Sequence, residues 1–503
     1  MSDRPARRRG PGGHGRSNRA HREEATTPSD PDRPRIPQPA AGRELALELL
    51  WESDASGRLI SDLFDDRRAS LSSQRSTDPR DIALTHELIA GVTRRQETLT
   101  AILRPQLNRP FAELEPGLVR LIQLGIYQLL FSDSIPAHAA VHETVQLCHR
   151  AERSRWAGFV NGVLRSVGRA LTDRFVDQPA ANAVPISEGR YRELGVAAFV
   201  DPAVNPVLHF SQAWSFPLWL VERWSQRWSW DELLAFGFWF NRSPRLCLRV
   251  NLRQVTRDEF LSQCAARNIA ATPGTQREAV WIDGSLPITQ LPGFTEGWFS
   301  VQDESAMAAG HAVDPRAGES ILDLCAAPGG KTTHLAELSD DQASILAADV
   351  DPRRLNRVAE NARRLRLNSI ATVVLQRDLS NVPDVPFDAI LLDVPCSNTG
   401  VLGKRAEARW RIQPTDLVEL PALQRQLLQG ALSRIKPGGR IVYSTCSIDP
   451  EENELLVRQF LQAANADPDR RKDLSLVLRS EHFHRPGQPG DGAYQAVIDA
   501  VRT

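Results

Sequence analysis

The sequence of 503 residues predicts a multidomain chain, in which an all-α bundle and a small α/β domain precede a doubly wound α/β domain. Three observations support this prediction. Apolar residues recur at the helical period of 3.6 residues through the early part of the chain. A strand–helix–strand pattern occupies the middle. Strand and helix patterns then alternate towards the C-terminus, which is typical of a parallel sheet with helices on both faces.

The composition excludes several classes of protein. The apolar fraction of 41% suffices for sizeable cores, and the net charge of −1 argues against a uniformly basic nucleic-acid binder. No run of 18 apolar residues and no apolar signal core occur, so we expect a cytoplasmic chain that does not enter membranes. The six cysteines are scattered and form no C-x-x-C pair, so we expect reduced thiols and no metal site.

The early part of the chain divides into a tail and a helical segment. Residues 1–41 are rich in Arg, Pro, Gly and Ser, which predicts a disordered basic tail. Residues 42–171 carry two apolar helical faces, and Pro136 indicates a break before a new helix. His138 and His142 stand four residues apart as a metal pair can, but capping and packing are favoured. The faces comprise Leu118, Leu121, Ile122, Ile126, Leu129 and Leu130, and then Val160, Val163, Leu164, Val167 and Leu171.

The middle of the chain predicts a linker and a second domain. Residues 172–212 show no clear period and are interpreted as a linker or insertion. Residues 213–296 predict a small α/β domain, with a capping box formed by Thr256 and Glu259 at the start of a helix. Tryptophans in this domain could stack on nucleic-acid bases, but their helical spacing favours a core. They are Trp219, Trp224, Trp228, Trp230 and Trp239.

Residues 297–503 predict the doubly wound domain. Its first strand begins the segment "ILDLCAAPGGK", in which the strand is followed by a glycine-containing turn, and a helix pattern comes next. A parallel sheet presents such a loop to a small ligand at its carboxyl edge, and Gly329 and Gly330 allow a close approach. The predicted strands are Ile321–Leu324, Ile345–Asp349, Thr372–Gln376, Ala389–Asp393 and Arg440–Ser444.

The glycine loop has two interpretations. A phosphate loop needs glycine six residues before the lysine, where this chain has Cys325, although Ala389–Pro395 could supply its magnesium-binding acid. An S-adenosylmethionine loop needs an acid at the end of the next strand to hold the ribose, and Asp349 stands there. We favour the second interpretation. Lys331 is one of only four lysines in an arginine-rich chain, which indicates a specific role.

Two cysteines follow neighbouring predicted strands. Cys396 lies in "LLDVPCSNTG" and Cys446 in "YSTCSIDPEEN". Such a pair beside a methyl donor indicates a redox pair or a covalent methylation site. Carbon 5 of cytosine becomes nucleophilic when a thiolate adds to carbon 6, and a helix predicted to begin at Pro450–Glu451 would favour that thiolate. The residues alone do not decide which sulfur attacks.

Longer motifs identify a family. The segment Gly297–Ala464 resembles the bacterial 16S rRNA cytosine-5 methyltransferases of the RsmB (Sun) type, within the Nop2/Sun family. The resemblance rests on "VQDESA", "LDLCAAPGGKTTHLAE", "LLDVPCSNTG" and "STCSIDPEENE". The segment before residue 171 resembles the NusB family of RNA-binding helical domains, at "IPAHAAVHE" and "FVNGVLR". The loop "VLGKRAEARW" and the closing "GDGAYQAVIDA" depart from the family pattern.

The resemblance implies a Rossmann-like methyltransferase domain behind a NusB-like bundle, with S-adenosylmethionine as cofactor. It implies that Asp349 binds the ribose, that Asp378 lies near the adenine, and that Asp393 lies between cofactor and base. Cys446 would be the nucleophile, and Cys396 would assist release of the product. The catalytic candidates are Cys446, Cys396, Asp393 and Lys331. The cofactor loop would comprise Cys325, Ala326, Ala327, Pro328, Gly329, Gly330 and Lys331.

The implied substrate is RNA. A target base must leave its stack to reach a thiolate, which favours a loop or an unfolded intermediate of 16S rRNA that is unassembled or partly assembled. We expect a monomer that binds RNA through its front and middle domains. The alternatives are methylation of tRNA or another RNA, a P-loop-like nucleotide hydrolase, and a non-catalytic RNA-binding factor.

Overall fold

The computed structural model describes residues 41–73, 78–284, 286–376, 381–383, 385–467 and 474–502, so the predicted basic tail lies almost wholly outside it. The helices in these ranges are α1 Ala41–Ser56, α2 Ile60–Ser73, α3 Pro79–Arg94, α4 Gln96–Leu103, α5 Pro116–Phe131, α6 Ala137–Arg150, α7 Ala157–Ala170, α8 Pro206–Trp214, α9 Leu218–Trp224, α10 Trp230–Asn241, α11 Arg257–Ala266, α12 Glu304–Val313, α13 Gly330–Leu338, α14 Pro352–Leu365, α15 Ala408–Arg411, α16 Asp416–Leu432 and α17 Glu454–Ala466. The strands are β1 Leu171–Val176, β2 Ala183–Ser187, β3 Arg190–Leu194, β4 Leu246–Val250, β5 Ala271–Pro273, β6 Ala279–Ile282, β7 Phe299–Val301, β8 Ser320–Asp323, β9 Ser344–Asp349, β10 Ile370–Val374, β11 Phe387–Asp393, β12 Ile435–Thr445, β13 Leu474–His484 and β14 Ala493–Arg502.

Helices α1–α7 form the predicted bundle. The apolar faces of α5 and α7 are buried, except that Leu171 begins strand β1 and is only half-buried. Pro116 opens α5 at a position where a missing N–H costs nothing. His138 and His142 are both exposed on α6, along a groove between α6 and α7.

The interpretation of residues 172–212 as a linker is wrong. This interval contains most of a three-stranded antiparallel sheet, in the order β1-β3-β2, followed by helix α8. Its strands have only five or six residues, too few to show a clear period. Tyr191 and Leu194 on β3 are buried, and the ring of Tyr191 meets that of Trp214 edge-on at 5.9 Å. One continuous core therefore joins the bundle, this sheet and α8–α10.

Strands β4–β7 form the middle α/β domain, a four-stranded antiparallel sheet in the order β5-β6-β4-β7. The predicted capping box is present, since Thr256 accepts from the Glu259 N–H while the Glu259 carboxylate accepts from Thr256. The predicted core role is confirmed for Trp224 and Trp228, which are buried. It is wrong for Trp230, whose surface is 38% exposed.

The C-terminal sheet has seven strands in the order β10-β9-β8-β11-β12-β14-β13. Its first five strands are parallel, as predicted, whereas β14 and β13 pair antiparallel at one edge. The expectation of an all-parallel sheet therefore misses two strands. The reason is that an antiparallel edge hairpin needs no crossover helix, and so it lacks the strand–helix rhythm by which the other strands were recognised.

The strand order reverses between β8 and β11, because β9 and β10 continue on one side and β12 on the other. The loops that leave the carboxyl ends of β8, β9, β11 and β12 therefore meet above this crevice, where open α/β sheets bind their ligands. No helix within the described ranges is both long and apolar enough to cross a bilayer.

Candidate active site

The loop between β8 and α13 is held in a single path by its own backbone. The Ala326 N–H donates to Ala348 O at 3.0 Å, and the Gly329 N–H donates to Ala326 O at 2.7 Å. Gly329 has a φ of +98°, and a Cβ there would lie 3.0 Å from the Cα of Val358. By contrast, a Cβ on Gly330 would meet nothing within 4 Å. The glycine pair thus permits a tight turn and leaves open space at the start of α13.

Asp349 is fixed beside this loop at the end of β9. Its Oδ2 accepts from the Ala327 N–H at 3.0 Å, and its Oδ1 accepts from the Asp351 N–H at 3.0 Å. Arg354 donates to Ala327 O at 2.8 Å and braces the loop from α14. The structure therefore places the residue predicted to bind ribose next to the predicted cofactor loop, with its carboxylate held in one orientation.

Asp323 at the end of β8 is a second acid in the crevice, and it is completely buried. Its Oδ2 accepts from the Thr332 hydroxyl at 2.6 Å, while its Oδ1 has no hydrogen-bond partner among the residues that the structure describes. Burial raises its pKa to about 7. The sequence assigned no role to Asp323. A buried carboxylate oxygen without a partner indicates a place for a ligand that donates a hydrogen bond.

Lys331 and Asp393 form an ion pair across the crevice, with 2.8 Å between Nζ and Oδ2. Burial opposes the charge on Lys331, but Asp393 together with Cys446 and Asp323 raises the pKa of the lysine. The pair joins the first turn of α13 to the end of β11. A permanent cation and a partly exposed carboxylate therefore face the crevice together.

The two predicted cysteines are neighbours. Cys396 follows β11 and Cys446 follows β12, and these strands are adjacent, so the two Sγ atoms lie 3.1 Å apart. The hydrogen bond between the two sulfurs lowers the pKa of Cys446 and raises that of Cys396. Cys446 is therefore the sulfur of the pair that more readily becomes a thiolate.

Several polar residues that surround the cysteines were missed from the sequence. The Asn398 carbonyl accepts from the Cys446 thiol at 3.3 Å, and it also accepts from Arg405 at 2.8 Å. Glu452, which is buried, accepts from the Ser397 N–H at 2.9 Å. Asn398 and Ser397 stand directly after Cys396 in "PCSNTG", and that adjacency was the available signal.

The predicted helix start at Pro450–Glu451 is wrong. Pro450–Glu452 form a short 3₁₀ turn, and α17 begins only at Glu454. The Asn453 side chain, which accepts from the Thr445 hydroxyl at 2.6 Å, separates the turn from the helix. The hydrogen bond with Cys396 and the nearby cations Arg405 and Lys331, rather than a helix terminus, therefore favour the Cys446 thiolate.

Two other predicted site residues have a simpler outcome. Cys325 is partly exposed in the loop, and burial of its thiol together with nearby carboxylates raises its pKa well above the usual value. It therefore stays a neutral thiol that lines the loop. Asp378, the predicted adenine neighbour, lies outside the described residues.

A buried arginine of the middle domain supports the loop from behind. Arg249 on β4 is fully buried and donates twice to Glu337 on α13, at 2.7 and 2.8 Å. It also donates to Gly330 O at 2.6 Å, to the Thr333 hydroxyl at 3.0 Å and to Gln302. The middle domain is thereby bonded to the first turn of the helix that follows the glycine loop.

The acidic groups of the crevice suit S-adenosylmethionine. That molecule carries a sulfonium and an ammonium charge and two ribose hydroxyls, and the crevice offers the carboxylates of Asp323, Asp349 and Asp393. The free oxygen of Asp323 and the open space beside Gly330 fit a donor-bearing ligand at the loop. A doubly wound sheet with this loop and these acids defines the class of S-adenosylmethionine-dependent methyltransferases.

Comparisons with known proteins narrow the class to a family. Residues 311–479 match the family described as 16S rRNA methyltransferase RsmB/F, residues 40–169 match the NusB family, and residues 216–289 match the ferredoxin-like domain of RsmF/B-like methyltransferases. Since a relative described below is also 36% identical over 84% of this chain, the chain belongs to the RsmB/F family of 16S rRNA methyltransferases, and its cofactor is S-adenosylmethionine.

Individual relatives are similar in sequence to this protein over most of its length. Ribosomal RNA small subunit methyltransferase B of Erwinia tasmaniensis is 36% identical over 440 residues, which cover 84% of this chain and 92% of the relative. A probable ribosomal RNA small subunit methyltransferase B of Synechocystis is 36% identical over 390 residues, which cover 76% of this chain and 81% of the relative. The crystal structure of PH0851 shares the fold, with a TM-score of 0.71 at 22% identity, over 92% of this chain and 99% of that one.

Proposed function

We propose that this protein methylates carbon 5 of a specific cytosine in 16S rRNA through a covalent adduct between Cys446 and the base. The observation that carries the proposal is the contact of 3.1 Å between the sulfurs of Cys396 and Cys446. It lies at the carboxyl ends of adjacent strands, on the same edge of the sheet as the ion pair of Lys331 and Asp393. The names of the curated relatives, which specify the small-subunit ribosomal RNA, support the choice of substrate.

The chemistry divides between the two sulfurs. The Cys446 thiolate forms a bond to carbon 6 of the cytosine, which makes carbon 5 electron-rich. S-adenosylmethionine supplies an electrophilic methyl group for carbon 5. Loss of the carbon-5 proton then restores the double bond as the sulfur–carbon bond breaks, and Cys396 assists this release of the product.

The carboxylates complete the site. Asp393 hydrogen-bonds the polar edge of the pyrimidine, while Lys331 orients its carboxylate through their contact of 2.8 Å. Asp349 holds the ribose of the cofactor, and the loop from Cys325 to Lys331 lines the rest of its site. The target cytosine leaves its stack to reach Cys446, so unassembled or partly assembled rRNA in the cytoplasm is the substrate, bound through the NusB-like and middle domains.

Removing each sulfur separately tests this proposal. We expect Cys446→Ala to lose methyl transfer to unmodified 16S rRNA, because no thiolate remains to activate the ring. We expect Cys396→Ala to accumulate a covalent protein–RNA species, because the adduct forms but is not released. Transfer of labelled methyl groups and denaturing electrophoresis of the protein–RNA mixture measure the two effects.

Cys264→Ala is the matched control, since Cys264 is buried on α11 of the middle domain and should leave turnover unchanged. Full activity of Cys446→Ala would refute the adduct, and so would methylation at an atom other than carbon 5. Hydrolysis of ATP without binding of S-adenosylmethionine would instead support the nucleotide-hydrolase alternative. Wild-type protein that binds RNA but transfers no methyl group would support a non-catalytic factor.

A further inference from the structure

The loop after Cys396 brings a permanent cation to one side of the cysteine pair. Asn398 and Arg405 both lie on this loop, and the Arg405 guanidinium donates to Asn398 Oδ1 at 2.8 Å. The same oxygen lies 3.3 Å from Cys446 Sγ. One amide oxygen thus touches both the guanidinium and the sulfur proposed to attack.

The orientation of the Asn398 amide is determined by its partners. Its Nδ2 donates to Cys396 O at 2.8 Å, so its Oδ1 must point towards Arg405 and Cys446. A flipped amide would set its NH₂ group against a guanidinium and its oxygen against a carbonyl, and both contacts are unfavourable. Asn398 has a φ of +62°, in the left-handed region that asparagine tolerates better than most residues.

The loop is also tied to the backbone of Cys446. The Gly400 N–H donates to Cys446 O at 2.9 Å, and a Cβ at Gly400 would lie 2.2 Å from Gly492 O. Two successive turns then lead on to the arginine, since Val401 N–H donates to Asn398 O and Arg405 N–H donates to Val401 O. The cation is therefore attached to the strand end that carries the sulfur.

Charges of opposite sign flank the two sulfurs. Arg405 and Lys331 face Cys446 and favour its negative form, whereas Asp393 on the same side opposes it. On the other side, Glu452 faces Cys396 and disfavours a negative charge there. Because Asn398 Oδ1 can only accept hydrogen bonds, it orients the Cys446 thiol but cannot stabilise the thiolate. The hydrogen bond with Cys396 lowers the pKa of Cys446 most, and the nearby cations lower it further. Of these cations, Lys331 is already paired with Asp393.

We propose that Arg405, held in place by Asn398, is a positioning residue that makes Cys446 rather than Cys396 the thiolate of the pair. The proposal rests on the proposed function, in which Cys446 attacks the base. An arginine keeps its charge at every physiological pH, so this selection does not depend on the titration of a second group. Arg405 acts through the sulfur and need not touch the RNA.

Alkylation in the absence of RNA and cofactor tests the proposal. Full-length protein is treated with iodoacetamide across pH 6–10, and mass spectrometry of peptides follows Cys446 and Cys396 separately. In the wild type we expect Cys446 to react faster than Cys396. Arg405→Gln should move the midpoint of the curve of Cys446 alkylation rate against pH to higher pH. It should also slow alkylation of Cys446 at pH 7 about tenfold, which corresponds to one pKa unit. Arg405→Lys should restore much of the rate.

Arg411→Gln is the matched control, because Arg411 lies on the same segment but its guanidinium donates to Arg58 O. It should leave the Cys446 midpoint unchanged. Asn398→Gly keeps the left-handed backbone but removes the amide, and should shift the midpoint in the same direction as Arg405→Gln. Equal alkylation of both cysteines in the wild type would overturn the proposal.

Steady-state kinetics on 16S rRNA separates this role from binding of phosphate, since Arg405 is exposed. We expect Arg405→Gln to lower kcat, with the loss recovered at higher pH. A raised KM for RNA with an unchanged alkylation midpoint would show that Arg405 binds the substrate instead, and would overturn the inference. If the Cys446→Ala variant were active, the proposed function itself would be refuted, and this outcome is separate from the effects of Arg405→Gln.

Discussion

Asp323 shows at the scale of one residue how burial alters chemistry at this site. Its carboxyl group is completely buried at the end of β8 and accepts a hydrogen bond from Thr332. Burial raises its pKa to about 7, against an unperturbed value of 3.8. The folded protein therefore holds a proton on Asp323 over a pH range in which the unfolded chain has lost it.

This shift predicts a pH dependence of stability. A group whose folded pKa is raised contributes stability that is complete below its unfolded pKa and is lost as pH rises through the folded value. Without cofactor, the wild type should lose up to about 4 kcal/mol relative to Asp323→Asn between pH 4 and pH 8. Urea unfolding at several pH values measures the difference. The exposed Asp340→Asn control should show no such trend, and a flat difference for Asp323→Asn would contradict the prediction.

At the scale of elements, the cofactor loop depends on a strand of another domain. Arg249 on β4 bonds to Glu337 and to Gly330 O, so the antiparallel middle sheet supports the first turn of α13. Glu278 reinforces this junction, since its Oε1 lies 2.7 Å from Nε2 of His311 on α12 and 3.1 Å from Nε2 of His334 on α13. The glycine loop is therefore preorganised from outside its own sheet.

Breaking this contact should affect both stability and cofactor binding. Arg249→Met leaves Glu337 buried without its partner, which we expect to cost about 3–5 kcal/mol. The double variant Arg249→Met/Glu337→Met should recover part of that loss, because no charge is left unpaired. Arg253→Met removes a more exposed pair with Asp340 and should cost about 1 kcal/mol or less. Chemical unfolding and calorimetric binding of S-adenosylmethionine measure the two effects, and equal costs for Arg249→Met and Arg253→Met would refute the expectation.

At the scale of the whole molecule, Arg409 joins three parts of the chain. It is fully buried, and all five of its hydrogen-bond acceptors are uncharged oxygens. They belong to the helical bundle, to the segment around α8–α10 and to the loop after Cys396, and they are Arg94 O, Ser215 O, Asn241 Oδ1, Phe240 O and Leu402 O. The loop that carries Arg405 is thus anchored against the bundle.

Loss of Arg409 should loosen this junction. Arg409→Met leaves five buried acceptors without a donor, and at about 1–3 kcal/mol for each unsatisfied group we expect more than 2 kcal/mol of destabilisation. Limited proteolysis should then cut between the bundle and the methyltransferase domain at lower protease concentration than in the wild type. Arg425→Met is the control, because its exposed guanidinium donates to Gln459 of the same domain and not to the bundle. Identical digestion patterns for Arg409→Met and wild type would count against the anchoring role.

Much of the fold was predictable because its signals are local. The periodicity of α5 and α7, the strands β8, β9 and β11 and the glycine loop all follow from residues close in sequence. The sheet of β1–β3 and the edge pair of β13 and β14 were not predictable in this way. Short antiparallel strands are stabilised by partners elsewhere in the chain, so their own sequences carry a weak pattern.

By itself, the sequence determined the architecture of the catalytic domain, the cofactor loop and the pair of candidate cysteines. Strand ends and glycine turns depend on residues that are adjacent in the sequence. Only the tertiary structure decided how that pair is polarised. The contact of Asn398 with Cys446 spans 48 positions, and that of Arg249 with Glu337 spans 88. Charge and burial depend on such distant neighbours, and no local pattern records which of them a side chain will meet.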